Sequence, residues 1–264
     1  MAPKLFHYTS AEACFSILHV APPRDRPNIW ASNAFCMNDM TEIEYGLEVV
    51  HRAVQDSIPR QEAERYFSRH HRSGDYTQLT FLQDTCLVSL CADPDLLSQW
   101  RAYGKNAAGY AIGFHRECIE RNAAEVGFDL IPVVYGRVNQ EDTVRAFLAR
   151  AKQICTNFQQ PFWTYVIDNA IHLALGFKND CFRHEIEWRL ISPHPKTILK
   201  YRSGRSGVVL YAEIPFEKKC IAEIWQGPTL DYKMTQRAWE VYFEREYGIG
   251  QVLIHESQIP LRNV

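Results

Sequence analysis

The chain has no apolar run of membrane-spanning length, and its opening residues, MAPKLFHYTS, hold no apolar core of the kind an export signal needs. The expectation is a cytoplasmic protein with no membrane partner. Neither charge is in excess. Lys and Arg number 29 against 31 Asp and Glu, for a net charge of −2, so a general coat for nucleic acid is excluded and only a local basic patch is left. The 13 glycines form neither a GxGxxG turn nor a P-loop, which removes the ordinary dinucleotide and NTPase frameworks. CxxC, His-x-His and HExxH spacings are missing as well. The eight cysteines, at 14, 36, 86, 91, 118, 155, 181 and 220, are scattered through apolar stretches. Their expected state is free, mostly buried thiol, with no disulfide frame and no metal.

What is present is an ordinary globular composition: 264 residues, 46% hydrophobic and 23% charged, enough to bury a sizeable core. Lys4–Tyr8 reads as a strand. Thr9 then starts a helix, with Glu12 three residues on to complete a capping box. Ile29–Ala34 reads as a second strand. Asp39 and Glu42 repeat the box and open a helix to about Ser57; Pro59 ends it, and a charged helix follows to about Arg72. Thr85–Cys91 is a strand. Asp93-Pro94 caps another helix, which Gly104 stops after Tyr103. Strands over Gly109–Phe114 and Asp129–Tyr135 flank a helix over Arg116–Val126. Residues 140 to 176 are helical with a break near Pro161. Three strands follow, Glu185–Ser192, Gly207–Pro215 and Cys220–Gln226, then a helix over Asp231–Glu246 and a strand over Gly250–His255. Strands gather at both ends without strict βαβ alternation, which specifies α+β. The expectation is one domain over 1–264 with a helical insertion at about 139–180.

His7-Tyr8-Thr9-Ser10 stands at the first strand-to-helix junction. Its plain reading is a half-buried histidine, a packed tyrosine and a cap from Thr9 or Ser10. Its functional reading is a neutral imidazole that binds a sugar hydroxyl and a phenol that stacks on a flat ring. Asn38-Asp39-Met40-Thr41-Glu42 reads first as a helix start. In Ser98-Gln-Trp-Arg-Ala-Tyr-Gly104, Ser98 and Arg101 share a helix face. Arg101 either meets the helix's terminal carbonyls or holds a pyrophosphate through its bidentate guanidinium.

Arg183-His-Glu-Ile-Glu-Trp-Arg-Leu-Ile191 is the richest motif. As a strand it turns Glu185, Glu187 and Arg189 to one face and Ile186, Trp188 and Leu190 to the other. Two carboxylates roughly 6–7 Å apart then share an open face with an Arg, either as solvated surface or lining a cleft. The segment from His194 to Arg205, with Lys196, Lys200, Tyr201 and Arg202, reads as a solvated loop, a phosphate-bearing partner being the alternative.

HYTS, NDMTE, SQWRAYG with GYAIGF, HEIEWRL and the closing EIWQGP…HESQIPLR stand in the order found in the bacterial Domain of Unknown Function 2971 family, which the chain resembles over nearly its whole length. That family in turn resembles the ADP-ribosyltransferase superfamily. The resemblance implies a split β-sheet core, an early His or Arg on a first strand, a polar middle motif and a late Glu, often in an ExE arrangement. Those roles fall on His7, on Ser89 or Arg101, and on Glu185-Ile186-Glu187, although the middle motif departs from the superfamily's usual Ser-Thr-Ser.

It further implies NAD as a consumed substrate. Glu187 stabilises the positive charge that builds on the ribose as nicotinamide leaves, Glu185 orients the acceptor, and Arg101 neutralises the pyrophosphate. His7 holds the ribose or adenosine side, Tyr8 stacks on nicotinamide, and Thr9, Ser89, Ser98 and Tyr103 complete the NAD-binding set. The implied activity is transfer of ADP-ribose to a macromolecule, protein or nucleic acid, by a toxin or phage-defence effector, a setting that leaves room for a neutralising partner. Two alternatives stay open: an NAD glycohydrolase with water as acceptor, and a non-catalytic nucleotide- or nucleic-acid-binding module. On the transferase reading, Glu187→Gln abolishes NAD cleavage at nearly unchanged stability.

Overall fold

The computed structural model describes residues 3–22, 25–36, 40–57, 84–105, 107–158, 161–204, 207–229 and 231–260. Its strands are β1 (Lys4–Thr9), β2 (Asn28–Asn33), β3 (Cys86–Cys91), β4 (Tyr110–His115), β5 (Asp129–Pro132), β6 (Val134–Tyr135), β7 (Phe177–Lys178), β8 (Glu187–Ser192), β9 (Lys200–Gly204), β10 (Gly207–Pro215), β11 (Ile221–Gln226) and β12 (Leu253–Glu256). Its helices are α1 (Ala11–Leu18), α2 (Met40–Ser57), α3 (Leu97–Tyr103), α4 (Arg116–Glu125), α5 (Arg137–Phe158), α6 (Phe162–Leu175) and α7 (Tyr232–Glu246). The chain is α+β, as expected. Ten strands form one mixed sheet in the order β12-β11-β4-β1-β3-β2-β10-β9, with β8 on β3 and β5 on β8, while β6 and β7 make a separate pair.

β3 is the junction that positions the site. β8 runs along it from Cys86 opposite Ser192 to Cys91 opposite Glu187. β1 and β2 meet it only at opposite ends: β1 through Phe6 and Cys91, β2 through Ser32 and Leu87 and through Asn33 and Cys86. Between those contacts lie Val88, Ser89 and Leu90, where β1 and β2 splay apart and a cleft opens.

Two apolar layers hold this sheet. Leu5, Leu18, Ile29, Leu90, Ile112, Phe114 and Phe216 pack with residues of α1, α4 and α7 in one core. Leu47, Val50, Val54, Leu148, Val166 and Leu175 join α2 to α5 and α6 in a second. Helices α5 and α6 therefore cover a core that they share with α2. Gly46 shows how tightly they sit: a Cβ there would lie 2.2 Å from the Ala174 carbonyl oxygen, so α2 and α6 touch backbone to backbone.

Several boundaries move. Pairing of β1 with β4 continues to Thr9 opposite Tyr110, so Thr9 stays in the strand. Ser10 caps α1 instead, accepting from the Ala13 amide at 3.2 Å. α3 begins at Leu97, because Asp95 accepts from the Trp100 indole, the Ser257 hydroxyl and the Gln258 amide and so ties three segments together. The strand expected over Asp129–Tyr135 divides at Val133 between two sheets. Residues 180–185 form a 3-10 turn capped by Asn179, and Ile186 takes a left-handed φ of 45°. β8 consequently starts at Glu187, and Glu185 leaves the strand. The basic segment holds β9, paired along β10, in place of a loop.

The thiol expectation is corrected. Cys118 of α4 and Cys220, in the turn before β11, form a disulfide across a separation of 102 residues. Free thiols are Cys14, Cys36, Cys86, Cys91, Cys155 and Cys181. Glu217 lies beside the bonded pair and makes with it a metal-ligand-like group, but sulfurs bonded to each other are not thiolate ligands. The Asn38-Asp39 cap, the charged helix to Arg72, Arg205 and the final Leu261-Arg262 lie outside the described residues. Among those described, no helix is long and apolar enough to cross a membrane.

Candidate functional site

The splay between β1 and β2 opens a cleft of about 420 Å³. Alternation on β8 turns Glu187 and Arg189 to the same side, as the sequence indicated, but the side is a buried wall and not an open face. Glu187 is 7% exposed, Arg189 3% and Lys178 4%. Lys178 Nζ lies 3.0 Å from Glu42 Oε1, 2.7 Å from Glu185 Oε2 and 3.0 Å from Glu187 Oε2. Arg189 Nε donates to Glu187 Oε1 at 2.8 Å, while Nη2 reaches Glu42 Oε2 at 2.7 Å and Glu187 Oε2 at 3.1 Å. Its Nη1 donates to the Leu175 carbonyl at 2.8 Å. Three carboxylates against two cations leave this cluster with one net negative charge.

Burial pushes the Glu187 carboxyl upward, but the Arg189 and Lys178 charges beside it outweigh that and hold it at about 2. Burial works against the Lys178 ammonium, yet Glu187, Glu185 and Glu42 hold its pKa above the usual lysine range. Both groups are therefore ionised throughout the neutral range. Ser89 faces Arg189 across the β3–β8 ladder and lines the cleft with Glu187. Tyr135 accepts from the Glu187 amide at 3.0 Å, and burial pushes its phenol up to about 12.

His7 crosses the splay. Its Nδ1 lies 3.1 Å from the Ser89 carbonyl oxygen, so Nδ1–H donates and Nε2 carries the lone pair. Burial, partly offset by that bond, lowers its pKa and keeps the ring neutral.

Of the residues singled out in the sequence, His7, Tyr8, Ser89, Tyr103 and Glu187 line this one cleft. Tyr103 stands half exposed at its mouth. Its phenol is held above the usual range by burial and then by the Glu187 charge. Tyr8 lines the cleft but spends its hydroxyl on the backbone, donating to Asp93 O at 2.8 Å and accepting from the Leu96 amide at 3.0 Å. Its ring meets Trp100 edge-on at 4.7 Å, so it packs more than it presents. Glu185 stands behind the wall, joined to it through Lys178. Thr9, Ser98 and Arg101 are not among the lining residues, and Arg101 is exposed.

Glu42 and Lys178 are lining residues that the motifs do not single out as a site, and Arg202, from the basic segment with the phosphate-partner alternative, lines the cleft as well. In sequence Glu42 has the spacing of a capping residue. A lone lysine closing an apolar stretch, Leu173 to Phe177, is the available signal for Lys178.

The pattern of a family described as Protein of unknown function (DUF2971) matches residues 99–190. That is about a third of the chain, from α3 to β8, and it supports the family resemblance over that segment. It contains Gln99, Tyr103, Lys178, Glu187 and Arg189 of the cleft wall. No curated protein and no solved structure matches the chain.

Proposed function

We propose that the cleft binds NAD and that the protein transfers ADP-ribose to a macromolecular acceptor. The observation that carries this reading is the meeting of His7, Ser89 and Glu187, from three distant stretches of sequence, at one splay in the sheet. In the reaction the bond from ribose C1 to the nicotinamide nitrogen breaks, and its electron pair leaves with nicotinamide. The ribose then carries positive charge, as in glycoside cleavage. A buried cluster with one net negative charge favours that state over the ground state, provided it is fixed before the reaction. Lys178 and Arg189 do the fixing. His7 Nε2 offers an acceptor for a ribose hydroxyl. Glu185, behind the wall, helps hold Lys178 in place through Oε2, and the proton of the acceptor group passes to solvent as that group attacks C1.

One observation favours a second reading. Both Glu187 oxygens already accept from Arg189, and one also from Lys178, which suits a site that binds a nucleotide without turning it over. Incubation with NAD, followed by chromatography for nicotinamide and by thermal shift, distinguishes the two. The transferase reading expects stabilisation, nicotinamide release and labelling of a macromolecule from labelled NAD in lysate. Stabilisation without release means a binding module. Free ADP-ribose without labelling means a glycohydrolase. Neither stabilisation nor release under any acceptor condition sinks the NAD reading.

A further inference from the structure

We infer that Arg202, with Ser32 and Trp30, forms the phosphate end of this cleft and takes the diphosphate of its nucleotide ligand. The inference rests on the reading of the cleft as a nucleotide site and assigns the anion-binding role to a residue other than Arg101.

β9 alternates as Lys200-Tyr201-Arg202-Ser203-Gly204, so Lys200 and Arg202 share a face. Lys200 is occupied by Glu213 at 2.7 Å. Arg202, opposite Val209 of β10, reaches over that strand to β2, where Nη2 donates to the Ser32 hydroxyl at 3.1 Å. Its Nε is buried without a hydrogen-bond partner, and no carboxylate pairs with the guanidinium among the described residues. Arg189, on β8, is by contrast bonded on all three nitrogens. An arginine lining a cleft with an unmet buried donor calls for an acceptor from outside, and a phosphate matches the guanidinium fork in both charge and geometry. Trp30 and Ser32 stand on the same face of β2, and the Trp30 indole, tilted against Tyr211 at 4.9 Å, gives this end a flat apolar wall.

The cleft is therefore polar along its length, with one net negative charge at the Glu187 end and one positive charge at the Arg202 end. NAD has the complementary order, a cationic nicotinamide ring followed by an anionic diphosphate. Ser32 and Glu187 are separated by two strands, roughly 10 Å, and by four residues along them, roughly 13 Å, before both side chains reach inward. A ligand with two polar parts and a linker spans that gap. A nucleoside does not.

Calorimetric titration of wild type, Arg202→Met and Arg202→Lys with inorganic pyrophosphate, ADP-ribose and nicotinamide riboside tests this, with the thermal midpoint as the folding control. Arg202→Met should lose roughly tenfold to a hundredfold in affinity for pyrophosphate and ADP-ribose, with nicotinamide riboside unaffected. Arg202→Lys, which keeps the charge but not the fork, should fall between, and it carries the test alone should Arg202→Met not fold. Unchanged ADP-ribose affinity in a folded variant overturns the assignment, as does wild type binding neither phosphate compound. Pyrophosphate binding that depends on Arg202 without any NAD turnover upholds it while the NAD reading fails. NAD turnover that ignores Arg202→Met overturns the assignment and leaves the NAD reading standing.

Discussion

The Glu187 carboxylate accepts from Arg189 at 2.8 Å and from Lys178 at 3.0 Å, so neutralising it leaves Arg189 with Glu42 and Lys178 with Glu42 and Glu185 as their carboxylate partners. Removing one partner of a buried, hydrogen-bonded pair costs about 3–5 kcal/mol. Because both cations keep other carboxylates, Glu187→Gln is expected to lower stability in urea unfolding by less than that, but measurably, against the near-silent change that the sequence motif suggests. Activity lost in that variant would be ambiguous. Ser89→Ala is the cleaner probe. It removes a hydroxyl from the cleft wall that Ser89 shares with Glu187, leaves the ion pairs standing, and should still reduce nicotinamide release if this wall faces the ribose.

Titration follows from the same contacts. The folded pKa of Glu187, about 2, lies below its ordinary 4.5. Its stabilising contribution is thus present above pH 4.5 and is lost as pH falls through 2. Circular dichroism during acid titration should show wild type losing stability across that window and Glu187→Gln losing less. Parallel curves for the two proteins would mean that Glu187 is not the titrating link.

At the scale of elements, what the sequence reveals depends on whether local pattern or tertiary pairing sets the outcome. β1, β3, β4, β10 and β11 are legible because apolar β-prone runs end at turn residues, and α5 and α6 because Pro161 divides a long periodic stretch. The start of β8 is not legible. Glu185 and Glu187 alternate on paper, but the Asn179 cap and the left-handed Ile186 end a 3-10 turn between them, and both carboxylates still reach Lys178 from different elements. Arg189 falls on the expected face. Its partner Glu42 is hidden, since spacing that resembles a capping box says nothing of a partner 147 residues away.

The position of Glu42 depends in turn on how α2 meets α6. A methyl at Gly46 would collide with the Ala174 carbonyl, and backbone cannot yield as a flexible side chain can. Gly46→Ala should cost about 1–3 kcal/mol by overpacking, despite the better helix propensity of alanine. That corresponds to a fall in thermal midpoint of roughly 2–12 °C. A midpoint that rises would show that α2 has room to move and that Glu42 is held by its ion pairs alone.

Over the whole molecule, the site exists only when the fold is complete. His7, Glu42, Ser89, Lys178 and Glu187 come from five elements, and neither the splay of β1 and β2 nor the wall beside it is encoded in any one segment. The Cys118–Cys220 bond closes a loop of 102 residues that contains β5 to β10 and hence Lys178, Glu187, Arg189 and Arg202. No local spacing announces it, because α4 and the turn before β11 are brought together only by the first core. A cross-link over so long a loop restricts the unfolded chain strongly, and typical disulfides contribute about 2–4 kcal/mol. Thiol titration of denatured protein should find six free thiols before reduction and eight after it. The double substitution Cys118→Ser, Cys220→Ser should lower the thermal midpoint by roughly 4–16 °C. Because neither residue lines the cleft, ligand affinity of the folded double variant should stay at the wild-type level. Eight thiols without reduction would mean that packing of α4 against the approach to β11 holds those sulfurs together unaided, and the double variant should then lose only what a pair of buried thiol-to-hydroxyl changes removes.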